Sequence, residues 1–276
     1  MEERGANRTL RFVAICLGAL MIVVATATPA GLLGGASADR PATEDYLSGQ
    51  KQTGEAAARP PKRDGYSFLL SSDEHVYPAR WCAQTTIGYT VDFSQTASVG
   101  LDQAQELLRW EQVFNKWNRA SRGAYSFEYL GEKRLPTVSK NSGREIDIDQ
   151  IGSGSIGITY VYGDENLSAP TDYRASAVNG RTAGNGGLQV VSRGDGPAAL
   201  VGDRGFIMID AEDALSLTPD GLRKTLYLHE SGHALGLGHV DDPNSLMHGT
   251  LSESRLGVGP GDLTGINELA SLPCTQ

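Results

Sequence analysis

From Ile87 to Phe93 apolar and polar residues alternate. Ile87, Tyr89, Val91 and Phe93 take one side and Gly88, Thr90 and Asp92 the other, the period of a half-buried strand. The period changes over 101–120, where Leu101, Ala104, Leu107, Leu108, Phe114 and Trp117 recur at helical spacing and Asp102, Gln105 and Arg109 face outward. Short strands are predicted at Tyr125–Leu130, Glu145–Asp149, Ile156–Tyr162, Gly187–Ser192 and Gly205–Asp210, separated by Gly and Asn. Thr218-Pro219-Asp220 reads as a helix start, with Thr218 as cap and Pro219 at the first helical position, and that helix runs to about Leu235. The pattern is that of an α+β domain. Gly152, Gly154 and Gly157 spell G-x-G-x-x-G, but Ile158-Thr159-Tyr160-Val161 after them is β-branched. No helix N-terminus follows to face a pyrophosphate, which argues against a dinucleotide site.

The amino-terminal third is different. Arg4, Arg8 and Arg11 precede an apolar run from Phe12 to about Ala27, and Ala36-Ser37-Ala38 supplies an A-x-A site. This order describes a signal peptide over residues 1–38, with Asp39 as the mature amino terminus. The other reading is a retained membrane anchor over residues 12–33. Either way the rest of the chain is exported, secreted or anchored facing outside. Residues 39–74 carry Arg59-Pro60-Pro61-Lys62 and no apolar period, and read as a linker or short pro-segment before a domain at 75–276. Cys82 and Cys274 are the two thiols left after cleavage. They either pair, tying the start of the domain to its end, or leave Cys82 free to block a metal.

Composition narrows the classes. With 39% apolar and 21% charged residues the chain builds a sizeable core. Its 24 Lys and Arg against 33 Asp and Glu leave −9, with no basic cluster, which argues against a nucleic-acid partner. Histidine numbers only five, yet His229, His233, His239 and His248 fall within twenty positions.

His229 and His233 stand at i and i+4, one face of the expected helix, close enough to share one ion. Gly236 can take the left-handed conformation that ends a helix and brings His239 round as a third ligand. Three nitrogens around Zn²⁺ leave a fourth position for water, the arrangement of a catalytic site. Glu230 stands beside the first ligand as a general base and then acid. Three His, one Glu and one Gly at this fixed spacing arise by chance with probability of order ~10⁻⁵, which argues against surface histidines on an ordinary helix.

H-E-x-x-H-x-x-G-x-x-H over 229–239 resembles the signature of the metzincin zinc endopeptidases. Ser245-Leu246-Met247-His248 is similar to their Met-turn, with Met247 under the metal. Within that group the likeness is to the matrixins. Leu235-Gly236-Leu237-Gly238-His239 resembles their extended zinc motif, Asp262 to Leu269 their closing helix, Phe206–Glu212 the strand bordering their substrate cleft, and Ala104 to Trp117 their first helix. The likeness spans residues 82–276 and is strongest at 226–270. It implies a metzincin-like zincin domain: a twisted mixed β-sheet, a long first helix, an active-site helix and a C-terminal helix. It also implies a zinc endopeptidase. An extended polypeptide substrate is expected to lie along an edge strand near Gly205–Asp210 by β-addition.

Leu246 and Leu251 are candidates for an apolar substrate pocket. Asp195 and Asp203, in the Gly-rich stretch 180–205, are candidate Ca²⁺ ligands, with solvated turn aspartates as the plainer explanation. The matrixin inhibitory cysteine motif is absent from the pro-segment, so any latency works differently, with Asp73 or His75 as candidate masks. Too few histidines remain for the matrixins' second zinc, and His248 reads as a packing residue. A monomer is expected, touching a membrane only if residues 12–33 stay attached. Two rival readings stand beside this one: a non-catalytic zinc-binding surface domain, and a membrane-tethered protease that sheds its neighbours.

Overall fold

The computed structural model describes residues 65–70, 78–179, 182–192, 200–217, 220–252 and 254–274. The proposed signal or anchor segment, Asp73, His75, Asp195 and the expected cap Thr218-Pro219 lie outside the described residues. The strands are β1 (Ser67–Phe68), β2 (Thr85–Asp92), β3 (Tyr125–Glu132), β4 (Thr137–Lys140), β5 (Gly143–Ile146), β6 (Ser155–Gly163), β7 (Arg174–Ala175), β8 (Gly184–Ser192), β9 (Leu200–Asp210) and β10 (Leu237–Gly238). The principal helices are α1 (Gln103–Ala120), α2 (Ala211–Ser216), α3 (Asp220–Ala234) and α4 (Pro260–Ser271). Among the described residues no helix is long and apolar enough to cross a membrane.

The main sheet runs β3-β2-β6-β9-β8. β2 pairs in parallel with β3 and β6, β6 in parallel with β9, and β8 antiparallel with β9. The architecture is therefore α+β with a mixed sheet, a long first helix, a histidine-bearing helix and a closing helix. Glu145–Asp149, expected as one strand, divides instead. β5 ends at Ile146, and a 3-10 turn over Ile148–Gln150 follows, closed by Gln150 N–H donating to the Asp147 carbonyl.

A second expectation is corrected. The stretch 205–210 belongs to β9, which has β6 on one side and β8 on the other, so it offers no free edge. On that side the sheet's edge among the described residues is β8. The sequence misleads here because β9 is buried on both faces. Ile207 and Ile209 join the main core, while Phe206 and Met208 join a second core with Leu135, Ile146, Ile148 and Ile151. Alternation reports faces, not neighbours.

Two aromatic helices fill the main core. Asp102 caps α1 by accepting from the Gln105 N–H at 2.9 Å. The buried side of α1, Trp110, Val113, Phe114 and Trp117, meets α3, where the Trp110 and Tyr227 rings stack with centroids 4.3 Å apart. Buried Glu106 locks the same pair of helices. It accepts from Tyr227 Oη at 2.5 Å and Tyr160 Oη at 2.9 Å, and it ion-pairs with Arg223 at 3.0 Å and Arg109 at 2.7 Å. A buried carboxylate with this many partners resists rotation of α3 about its axis. Cys82 and Cys274 are joined by a disulfide, 192 residues apart in sequence, which fixes Cys274, just after α4, beside the entry to β2.

The linker expected over 39–74 gives way at its described end. β1 pairs antiparallel with β10, Ser67 opposite Gly238 and Phe68 opposite Leu237, so residues 65–70 are packed into the body. A segment of two paired residues after a Pro-rich run has too little period to be read as a strand.

Candidate metal centre

α3 carries His229 and His233 one turn apart, and the chain then reverses at Gly236, whose φ of +104° is open to glycine and strained for any side chain. This reversal brings His239 back to the helix. The three Nε2 atoms converge, 3.1 Å from His229 to His233, 3.0 Å from His233 to His239 and 3.1 Å from His229 to His239. The outer nitrogens explain the orientation. His229 Nδ1 donates to the Leu246 carbonyl and His233 Nδ1 to the Leu237 carbonyl, both at 2.8 Å. Each of these Nδ1 atoms therefore holds its ring's proton, which leaves the two Nε2 lone pairs pointing inward. Lone pairs facing one another repel unless a cation sits between them. Nitrogens at tetrahedral angles about zinc, each ~2.0–2.1 Å from it, stand about 3.3 Å apart, so small adjustments admit the ion. The donor set fits.

Burial holds the two helical imidazoles neutral. It pushes His229 down to about 4, and His233, with His229 beside it, down to about 3. Both are thus ready to ligate at neutral pH. Glu230, on the same helix and buried, is pushed up to about 8 by desolvation, opposed by a hydrogen bond from the Gly186 backbone N–H.

Met247 packs on the same helix. It is buried, and a Cβ on Gly232, between His229 and His233 in sequence, would come 2.5 Å from its Sδ. The turn that carries it is held by buried Asp262 at the start of α4, which accepts from Leu246 N–H at 2.9 Å, Met247 N–H at 3.2 Å, Gly259 N–H at 2.8 Å and the Ser245 hydroxyl. One carboxylate thereby fixes both the turn and the carbonyl that orients His229. The sequence shows Asp262 only as part of the closing helix. Its role is invisible there because fifteen residues separate it from Met247.

The strand expected at Gly187–Ser192 is present as β8 and begins three residues earlier, at Gly184. Gly184 and Gly186, just outside the expected bounds, let β8 settle on α3. A Cβ on Gly184 would stand 2.8 Å from Glu230 Cγ, and one on Gly186 only 2.1 Å from the Glu230 carbonyl oxygen. Gly186→Ala must push strand and helix apart. It is expected to lower the melting temperature by ~2–12 °C, from about 1–3 kcal/mol of overpacking, and a scan within 1 °C of the parent would contradict this contact.

The remaining candidates sit as follows. Leu246 and Leu251 are both buried in the main core. Asp203 accepts from the Ser153 hydroxyl and pairs with Arg204 at 3.0 Å, which leaves its carboxylate already engaged. Half-buried His248 accepts from the Thr250 N–H through Nδ1 and stays apart from the ligand set.

Residues 170–270 match the model of the Peptidase_M10 (matrixin) family. No curated protein matches the chain. Among solved structures, metalloproteinase-II from Bacteroides fragilis is similar at 12% identity and a TM-score of 0.36, covering 72% of this chain. The chain spans 58% of the length of that protein. The matched stretch holds α3, all three converging histidines and Met247, and over that stretch the chain is similar to the matrixins.

Proposed function

We propose that the chain is an exported zinc-dependent endopeptidase that hydrolyses polypeptides, with His229, His233 and His239 as its metal ligands. The observation that carries this reading is the convergence of three Nε2 atoms within 3.0–3.1 Å of one another, two of them on the helix that also bears Glu230 and the third returned to it after Gly236. Bound zinc supplies Lewis acidity, polarising a peptide carbonyl and lowering the pKa of a water towards ~7. Glu230 takes the proton of the attacking water on a carboxylate oxygen and hands it to the leaving amine. Met247 and Asp262 keep the ligands from shifting as charge develops. β8, the strand at the sheet edge beside Glu230, receives an extended substrate by strand addition.

The test is hydrolysis of an unfolded protein by the purified chain, with zinc, after chelation, and after zinc is restored. Chelation is expected to lower the rate by at least ~100-fold, reversibly. Cleavage indifferent to chelation would refute the mechanism. No cleavage by a chain holding one zinc would favour the non-catalytic binding domain.

A further inference from the structure

The ligand loop is short of its own structure. Between the end of α3 and His239 the chain passes through Leu235-Gly236-Leu237-Gly238, and its two glycines carry the largest backbone entropy to be lost on ordering. Residues 65–70 provide what the loop lacks. Leu69 N–H donates to the Gly236 carbonyl at 2.8 Å, Ser67 and Phe68 pair with Gly238 and Leu237, and Ser67 Oγ donates to the carbonyl of His239 itself at 2.6 Å. The Leu237 carbonyl is meanwhile taken by His233 Nδ1. Each peptide unit from Gly236 to His239 is thus tied either to the 65–70 segment or to another ligand.

The fit is close and the segment is itself anchored. A Cβ on Gly238 would stand 2.7 Å from both the Phe68 carbonyl oxygen and Ser67 Oγ. Tyr66 Oη donates to Glu268 on α4, and a Cβ on Gly261, also on α4, would come 1.9 Å from the Gly65 carbonyl oxygen. The Leu70 carbonyl accepts from Ala79 N–H at 2.9 Å, and Phe68 joins the main core.

From these contacts we infer that residues 65–70 are a strap that positions the third metal ligand, so that high zinc affinity depends on chain lying before the domain boundary the sequence suggests. The inference rests on the reading of His229, His233 and His239 as a metal site. Ser67 is a positioning residue acting through the His239 backbone, and Leu69 acts through Gly236. Groups that orient ligands are worth ~10–100-fold in metal affinity. Coupling is also reciprocal: whatever factor the docked strap adds to zinc binding, zinc adds to docking of the strap.

The experiment uses the full chain and three variants, Ser67→Ala, Leu69→Pro and Ser67→Thr, with zinc affinity measured by chelator competition. Ser67→Ala and Leu69→Pro are expected to weaken zinc by ~10-fold or more, and Ser67→Thr, which keeps the hydroxyl, to stay within about threefold of the parent. Cobalt(II) in place of zinc reports the coordination sphere directly, and its visible band should weaken in the two disrupting variants as the third imidazole leaves. Hydrogen exchange on the unmutated chain needs no variant to fold: zinc should slow the amides of residues 66–70. Equal zinc affinity in parent and Ser67→Ala, or exchange at 66–70 indifferent to zinc, overturns the strap alone. A parent chain that binds no metal overturns the strap and the metal reading together.

Discussion

Replacing Glu230 by Gln is expected to lower kcat on an unfolded polypeptide by about 10³-fold while one zinc stays bound per chain. Gln matches Glu in shape and its Oε1 can still accept the Gly186 N–H, so the packing of β8 on α3 is kept. What is lost is a group able to take a proton. The environment of the carboxyl sharpens the argument. In the metal-free chain burial pushes Glu230 up to about 8, so at neutral pH it is mostly protonated and cannot act as a base. A dication in the histidine cluster would pull it down and ionise it, so the base is ready only when the site is loaded. KM should change little, because the carboxyl acts on the reacting water and not on the bulk of the substrate. Steady-state kinetics with metal analysis on the same samples decides the matter. A variant within tenfold of the parent, or one that loses zinc along with activity, would remove Glu230 from the role of base.

The centre of this site is legible in sequence because its spacing is helical. His229, Glu230 and His233 are placed by one element, and Gly236 announces the reversal that returns His239. Met247 was reached through resemblance, since nothing in its own neighbourhood says what it packs against. Asp262, Gly184 and Gly186 were not reached. Their work is done across 15 residues in one case and across a sheet in the other, and local period carries no information about either. Gly186 is the clearest instance: in sequence it belongs to a Gly-rich stretch, while in the fold it is where a strand touches a helix backbone. The expectation of an edge at Gly205–Asp210 fails for a related reason. β9, buried on two faces, looks as apolar as any cleft-lining strand, and only pairing shows that β8 closes the sheet. Tyr66-Ser67-Phe68-Leu69-Leu70 did carry a signal, an apolar cluster closing an otherwise polar leader, but five residues are too few to declare a strand.

Removing zinc from the folded chain is expected to lower its melting temperature by ~8–16 °C when free zinc had stood at about 1,000 times Kd. Binding to the native state alone stabilises by about 4.1 kcal/mol at that ratio, and about 2–4 °C follows each kcal/mol for a chain of this size. The metal-free protein should then show a pH dependence that isolates Glu230. A carboxyl raised from 4.5 unfolded to about 8 folded contributes its full stability below 4.5, loses it progressively as pH rises, and has none left above 8. Gln has no such term. The melting temperature of metal-free Glu230→Gln relative to the parent should therefore climb from pH 4.5 to pH 8 and level off. His229 and His233, lowered to about 4 and 3, act in the opposite sense: their contribution is present above 6.5 and lost as pH falls. Asp210, raised by burial to about 7, and Asp213, raised to about 6, tilt the curve the same way as Glu230. All four are common to both proteins and cancel in the difference. With zinc bound the climb should vanish, because the ion stabilises the carboxylate that burial had penalised. Parallel melting curves for parent and variant in the metal-free state would mean that Glu230 is solvated there, and the buried base would have to be abandoned.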